Sequence, residues 1–150
     1  MDNQYLDKYV AAQIIILLAI LLLTPLMHFH NLIINLLGLG FLLIGLLILV
    51  IAIKQLGTAL TPVVTPKKNA QLVTSGLYGI VRHPIYTGVI IMAIGWSFYW
   101  GSVSSFIASL VLLLFFNCKI NKEESLLSKK FPEYELYKLK VKKKIIPFIF

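Results

Sequence analysis

Four runs of the chain, residues 10–26, 32–53, 84–100 and 102–116, contain no Asp, Glu, Lys, Arg or His. A helix that is apolar on every side has no face to offer water, and a bilayer core accepts only backbones whose hydrogen bonds close internally. Trp100-Gly101-Ser102 is long enough only to reverse direction, so the last two runs should form an antiparallel helical hairpin, and His28-Phe29-His30-Asn31 should reverse the first pair. The two shorter runs reach roughly 23 to 26 Å, against a hydrocarbon core of about 30 Å, so they extend past their apolar limits or sit in a thinned bilayer. The expected fold is therefore an all-α integral membrane domain spanning 1–150, with about four transmembrane helices, a cytoplasmic central loop and C-terminal amphipathic helices. The first run lacks a small-residue cleavage site and reads as a retained span.

The absence of charge inside the runs counts against a proton-coupled transporter or an ion pathway. It also sets the orientation, because Lys and Arg accumulate in cytoplasmic segments. Lys8, then Lys54, Lys67, Lys68 and Arg82, then the lysines from Lys119 to Lys144 fall on one side, so all 14 basic residues agree on cytoplasmic termini and a cytoplasmic central loop. A net charge of +8 could suggest nucleic acid, but no nucleic-acid module is visible, and anionic lipid accounts for basic segments beside apolar ones. The cluster Lys140, Lys142, Lys143 and Lys144 reads as a headgroup-binding face. Cys118 reads as a packing residue, and His28 and His30 as turn residues without metal-ligand partners.

The central loop, about Lys54 to His83, is too long for a plain connection and too apolar for a disordered linker, with Leu56, Leu60, Val63, Val64, Leu72 and Val73 available for packing. After the fourth run a helical pattern continues through Glu123, Glu124, Leu126 and Leu127 until Phe131-Pro132 stops it. Tyr134, Tyr137 and Val141 then mark one face of a short second helix, where interfacial anchoring is the expected role of the tyrosines. Residues 145–150 should tuck against the bilayer or the loop. Gly38 and Gly45, and Gly88 and Gly95, are spaced to let helices approach closely, and glycine seams in so small a bundle are compatible with a homodimer.

Chemistry then belongs at the cytoplasmic surface. In Tyr78-Gly79-Ile80-Val81-Arg82-His83-Pro84-Ile85-Tyr86, proline restricts the residue before it and suits the first helical position, so His83 should end the loop and Pro84 should open a helix. Arg82 and His83 would stand at a helix mouth, where backbone N–H groups and the helix dipole favour an anion. Glu123 and Glu124 lie one hairpin away and can meet them in space. A pocket between the two sets suits a zwitterionic ligand.

Leu72-Val73-Thr74-Ser75-Gly76-x-Tyr78, Arg82-His83-Pro84-x-Tyr86-x-Gly88, Glu123-Glu124-x-x-Leu127, Phe131, Tyr134, Tyr137 and Ile146-Pro147 together resemble the isoprenylcysteine carboxyl methyltransferase family, with its bacterial members and the related phospholipid methyltransferases. The resemblance covers about Leu56 to Pro147. It implies a membrane enzyme that binds S-adenosylmethionine in a cytoplasmic pocket and methylates a carboxylate, thiol or amine on a lipophilic acceptor drawn from the bilayer. On the matching positions it implies cofactor contacts from Leu72, Gly76, Tyr78, His83, Pro84, Tyr86, Glu123 and Glu124, and catalytic roles for Arg82 and Glu124. The short chain is similar to prokaryotic-type members, which implies a bacterial or archaeal plasma membrane. Ala70 and Gly79 stand where many members carry a histidine and a basic residue, which bears on acceptor identity. An NADPH-dependent membrane reductase of the sterol-reductase type and a non-enzymatic four-helix membrane protein are the competing readings.

Overall fold

The structure, a computed structural model, describes residues 3–27, 29–66 and 71–145, with side chains from residue 8 onward. His28, Lys67, Lys68, Ala70 and residues 146–150, Pro147 included, lie outside the described residues. Among the described residues the regular elements are all helical: α1 (Asn3–Leu22), α2 (Leu32–Leu56), α3 (Pro84–Tyr99), α4 (Val103–Lys130) and α5 (Tyr134–Lys140), with 3-10 turns at Gly57–Ala59 and Gly76–Gly79 in the central loop.

Local chemistry sets the boundaries. The Asn31 side chain accepts from Ile34 N at 3.2 Å and caps α2, and the Ser102 side chain accepts from Ser105 N at 3.2 Å and caps α4. Gly57, at φ 53°, closes α2. The first helix ends at Leu22, short of the expected Leu26, because Pro25 pushes Thr24 away from helical geometry. Two helices, Leu32–Ala59 and Val103–Lys130, are long and apolar enough to cross a membrane, while the apolar stretches Lys8–Leu22 and Pro84–Tyr99 are shorter.

The packing order differs from the chain order. α2 lies along α3, α3 against α4, and α4 against α1, so the hairpin of α3 and α4 stands between the first two helices. The reversal of the first pair thus leaves α1 and α2 with at most a marginal contact among the described residues. The glycines explain why α2 chooses α3. A Cβ on Gly45 would come within 2.8 Å of Gly88 O, and one on Gly95 within 2.9 Å of Gly38 O, so the two glycine pairs form one antiparallel seam that no larger residue could enter. Those glycines pack α2 against α3 inside the chain, so this seam is not free for the homodimer with which it was compatible.

At the end of the bundle remote from the lysines, the two reversals lock together: Phe29 N donates to Gly101 O and Val103 N to Met27 O, both at 3.0 Å. Nearby hydroxyls tie α1 to α3 and α4, with Ser105 Oγ donating to Ile20 O at 2.7 Å and Trp96 Nε1 to Thr24 Oγ1 at 2.9 Å. At the opposite end the bundle opens, and the loop, the polar half of α4 beyond residue 116 and α5 gather over it. Val64 is buried there, as a loop that packs requires. Cys118, expected to pack, is exposed instead.

Candidate functional site

Pro84 occupies the first turn of α3 and His83 precedes it outside helical geometry, φ −128°. The mouth of this helix is held from two directions. From below, Tyr78 OH donates to Ala52 O at 3.4 Å near the end of α2. Gly76 has φ 64° and packs on the Gln55 amide, whose Oε1 accepts from Leu77 N at 2.9 Å, so this glycine seats the turn that carries Tyr78. From above, the segment after α5 returns: Arg82 N donates to Lys143 O and His83 N to Lys144 O, both at 2.9 Å, and Thr87 Oγ1 donates to Ile145 O.

Glu123 and Glu124 are neighbours on α4, so their side chains diverge by about 100°, and the structure gives them different partners. Glu124 is 8% exposed and faces the helix mouth. Arg82 Nε donates to its Oε1 at 2.7 Å and Arg82 Nη2 to its Oε2 at 3.3 Å, while His83 Nε2 lies 3.1 Å from Oε1. Arg82 Nη1 goes to Val141 O at 2.6 Å. Burial alone would raise the Glu124 carboxyl, but hydrogen bonds from His83 and Arg82 and their charges outweigh it and hold the group down at about 2. Glu123 instead accepts from Tyr86 OH at 2.9 Å through Oε2, which lies 4.0 Å from His83 Nδ1.

Between these groups and the central loop lies a cavity of about 350 Å³. That is the size of a small-molecule site, roughly 300 to 1,000 Å³. Of the residues singled out in the sequence, Leu72, Tyr78, Arg82, His83, Tyr86 and Glu123 line it. Gly76, Pro84 and Glu124 do not, and shape it from behind. The rings of Tyr78, Tyr86, Phe131, Tyr134 and Tyr137 share its wall with the aliphatic side chains of the central loop.

Three wall residues were given other roles by the sequence or none. Tyr134 and Tyr137, expected to anchor at the interface, are 1% and 5% exposed and pack with Phe131, Val141 and Leu72. Tyr137 OH donates to Tyr78 O at 2.6 Å, and burial, with Glu124 adding and Arg82 opposing, pushes this phenol up to about 12. The Tyr134 phenol is raised by burial as well, and its buried hydroxyl has no hydrogen-bond partner among the described residues. The third is Lys119, whose signal in the sequence was submerged in a run of lysines. It is 1% exposed, donates to Gln13 Oε1 at 2.7 Å and to Pro62 O at 3.4 Å, and lies 5.3 Å from the Tyr86 ring centroid. Burial lowers its ammonium below the ordinary lysine value, with Glu123 opposing.

Comparison with known proteins follows the same lines. The profile of the isoprenylcysteine carboxyl methyltransferase family matches residues 36–129. A protein-S-isoprenylcysteine O-methyltransferase of Schizosaccharomyces pombe is 41% identical over 108 residues, covering 69% of this chain and 46% of that protein. An Oryza sativa subsp. indica protein named "Probable protein-S-isoprenylcysteine O-methyltransferase" is 37% identical over 116 residues, covering 75% of this chain and 60% of its own length. The solved structure of the eukaryotic intramembrane Ras methyltransferase superposes with a TM-score of 0.72 at 24% identity, over 99% of this chain and 55% of the other, a likeness of fold. The chain thus spans about half the length of these relatives.

Proposed function

The chain belongs to the isoprenylcysteine carboxyl methyltransferase family, and from that premise we propose that it transfers a methyl group from S-adenosylmethionine to a lipophilic acceptor at the cytoplasmic face of a membrane. The observation that carries the reading is the cavity itself. It offers one carboxylate, Glu123, to a cationic or hydroxyl group, one buried hydroxyl without a partner among the described residues, Tyr134, and aromatic faces that accept both a flat base and a sulfonium. The residues present therefore fit the cofactor that the family implies. The four apolar segments, the two shorter ones included, would cross the bilayer and set the cavity on the side where the basic residues lie.

Bound S-adenosylmethionine would supply a transferable methyl group on a sulfonium, and an ionised carboxylate or thiolate acceptor would need no proton moved. Glu123, oriented by the Tyr86 hydroxyl, would hold the cofactor's amino group or ribose. Tyr134 would complete its hydrogen bonding to the same ligand. Arg82 spends three N–H groups on Glu124 and Val141 and lines the cavity, so its remaining N–H groups would orient the acceptor. Glu124 would act through Arg82 and His83 as their fixed counter-charge. The chemical help required is alignment of the reacting atoms, a contribution of up to about 7 to 11 kcal/mol.

The test is binding of S-adenosylhomocysteine to the purified full chain in lipid nanodiscs, beside methyl transfer to an S-prenylated N-acetylcysteine. Wild-type protein should bind and transfer, and Glu123→Gln and His83→Ala should bind at least about tenfold more weakly. Equal affinity in both variants would remove the site assignment. Binding of NADPH in place of the homocysteine compound would select the reductase reading.

A further inference from the structure

Helix α5 has two apolar faces, and the cavity uses only one of them. Tyr134 and Tyr137 are buried with Phe131 and Val141. Leu136 and Leu139 lie about 200° and 140° round the helix from Tyr134, and they are 64% and 70% exposed. Single exposed leucines are ordinary. Two on the outer face of a seven-residue helix whose inner face is already buried make a second apolar stripe. Ile80, 57% exposed, extends it, since it falls between the residues to which α5 and its continuation are tied, Tyr78 by Tyr137 OH and Arg82 by Val141 O. Basic residues frame this patch. Five of the seven residues from 138 to 144 are lysine, and the one acid within α5, Glu135, is already paired with Lys138 at 2.8 Å. Lys144 donates to Asn121, and Lys140, Lys142 and Lys143 enter no ion pair among the described residues.

The depth of this surface follows from the residues after it. Ile145 is buried in the apolar cluster of the bundle with Ile20, Ile90 and Phe116, and the carbonyls of Lys143 and Lys144 accept from the N–H groups of Arg82 and His83 at the mouth of α3. Lys140 is three residues from Lys143, so α5 ends within roughly 11 Å of that mouth. A headgroup layer is about 5 to 8 Å deep beside a hydrocarbon core of about 30 Å. With α3 across the bilayer, the lysines after α5 stand at the level of lipid phosphates, and the outer leucines are within reach of acyl chains. We propose that the outer face of α5, with Lys140, Lys142 and Lys143, docks on a leaflet containing anionic lipid. Leu136 and Leu139 enter the boundary between headgroups and acyl chains while the lysines meet the phosphates. One short helix thus walls the cavity with its inner face and rests on the membrane with its outer one. The inference goes beyond methyl transfer and takes from that reading only the placement of α3 across the bilayer.

The experiment reads the depth of single spin labels on the full chain in nanodiscs, in a Cys118→Ser background because Cys118 is exposed. Leu139→Cys reports the outer face of α5, and Leu47→Cys, at a position 60% exposed on α2, reports the bilayer core. Collisions with oxygen, which concentrates among acyl chains, are compared with collisions with a neutral nickel chelate, which stays in water. In phosphatidylcholine mixed with phosphatidylglycerol both labels should favour oxygen. Lys140→Gln together with Lys142→Gln should move the docked-to-undocked ratio of the Leu139 label toward water by about 10- to 30-fold. Leaving out the phosphatidylglycerol should move it the same way. A Leu139 label that favours nickel beside a Leu47 label that favours oxygen overturns the docking, and the face then meets water or a soluble partner. A Leu139 label that favours oxygen equally with and without the lysines and the phosphatidylglycerol overturns the assignment to anionic lipid. A Leu47 label that favours nickel overturns the membrane-spanning reading, and this inference with it.

Discussion

Arg82 Nε and Glu124 Oε1 lie 2.7 Å apart across the 42 residues of a complete helical hairpin, with side chains only 6% and 11% exposed. Removing one partner leaves the other as an uncompensated buried charge. Arg82→Met or Glu124→Leu should each lower unfolding stability by about 3 to 5 kcal/mol, whereas the double variant should recover much of that loss. Thermal unfolding of the four proteins in one detergent checks this, and additive losses would contradict it.

The same pair predicts a pH dependence. The Glu124 carboxyl sits at about 2 in the folded protein against an ordinary value of 4.5. A depressed carboxyl contributes stability that is fully present above its unfolded value and is lost as pH falls through the folded one. Unfolding temperature should therefore lose a component between about pH 4.5 and 2 that Glu124→Gln lacks. Parallel curves for the two proteins over that interval would refute the assignment.

Two tyrosines one helical turn apart should respond oppositely to loss of their hydroxyls. Tyr137→Phe strands the Tyr78 carbonyl and should cost about 1 to 2 kcal/mol of stability. Tyr134→Phe removes a buried hydroxyl that bonds to nothing among the described residues, so the unliganded protein should be no less stable. Its affinity for S-adenosylhomocysteine should nevertheless drop about fivefold or more, as titration of the variant would show.

The glycine seam is open to a direct challenge. Gly45→Val places a Cβ within 2.8 Å of Gly88 O, and the helices must part to admit it. Stability should fall by about 1 to 3 kcal/mol or more. Gly40→Val, at a position with nothing within 4 Å, serves as the control and should change little.

The apolar helices, the opening of α3 at Pro84 and the packing of the long loop were legible because each follows from local chemistry: an uncharged run, a fixed φ, a surplus of apolar side chains. Partnership was harder to read. The position of α1 against α4 depends on hydroxyls such as Ser105, which look like ordinary small residues in sequence. Glu123 and Glu124 read as interchangeable, because only the rotation of α4 against α3 decides which one meets Arg82 and which one meets Tyr86. Lys119 was hidden by its surroundings. A lysine among lysines reads as solvated, and its burial depends on Gln13, 106 residues away.

The carbonyls of Val141, Lys143, Lys144 and Ile145 are what hold Arg82, His83 and Thr87 in place. During synthesis the motif at the mouth of α3 therefore emerges long before the residues that fix it. A ribosome-bound chain cannot complete these hydrogen bonds until some sixty further residues have been translated.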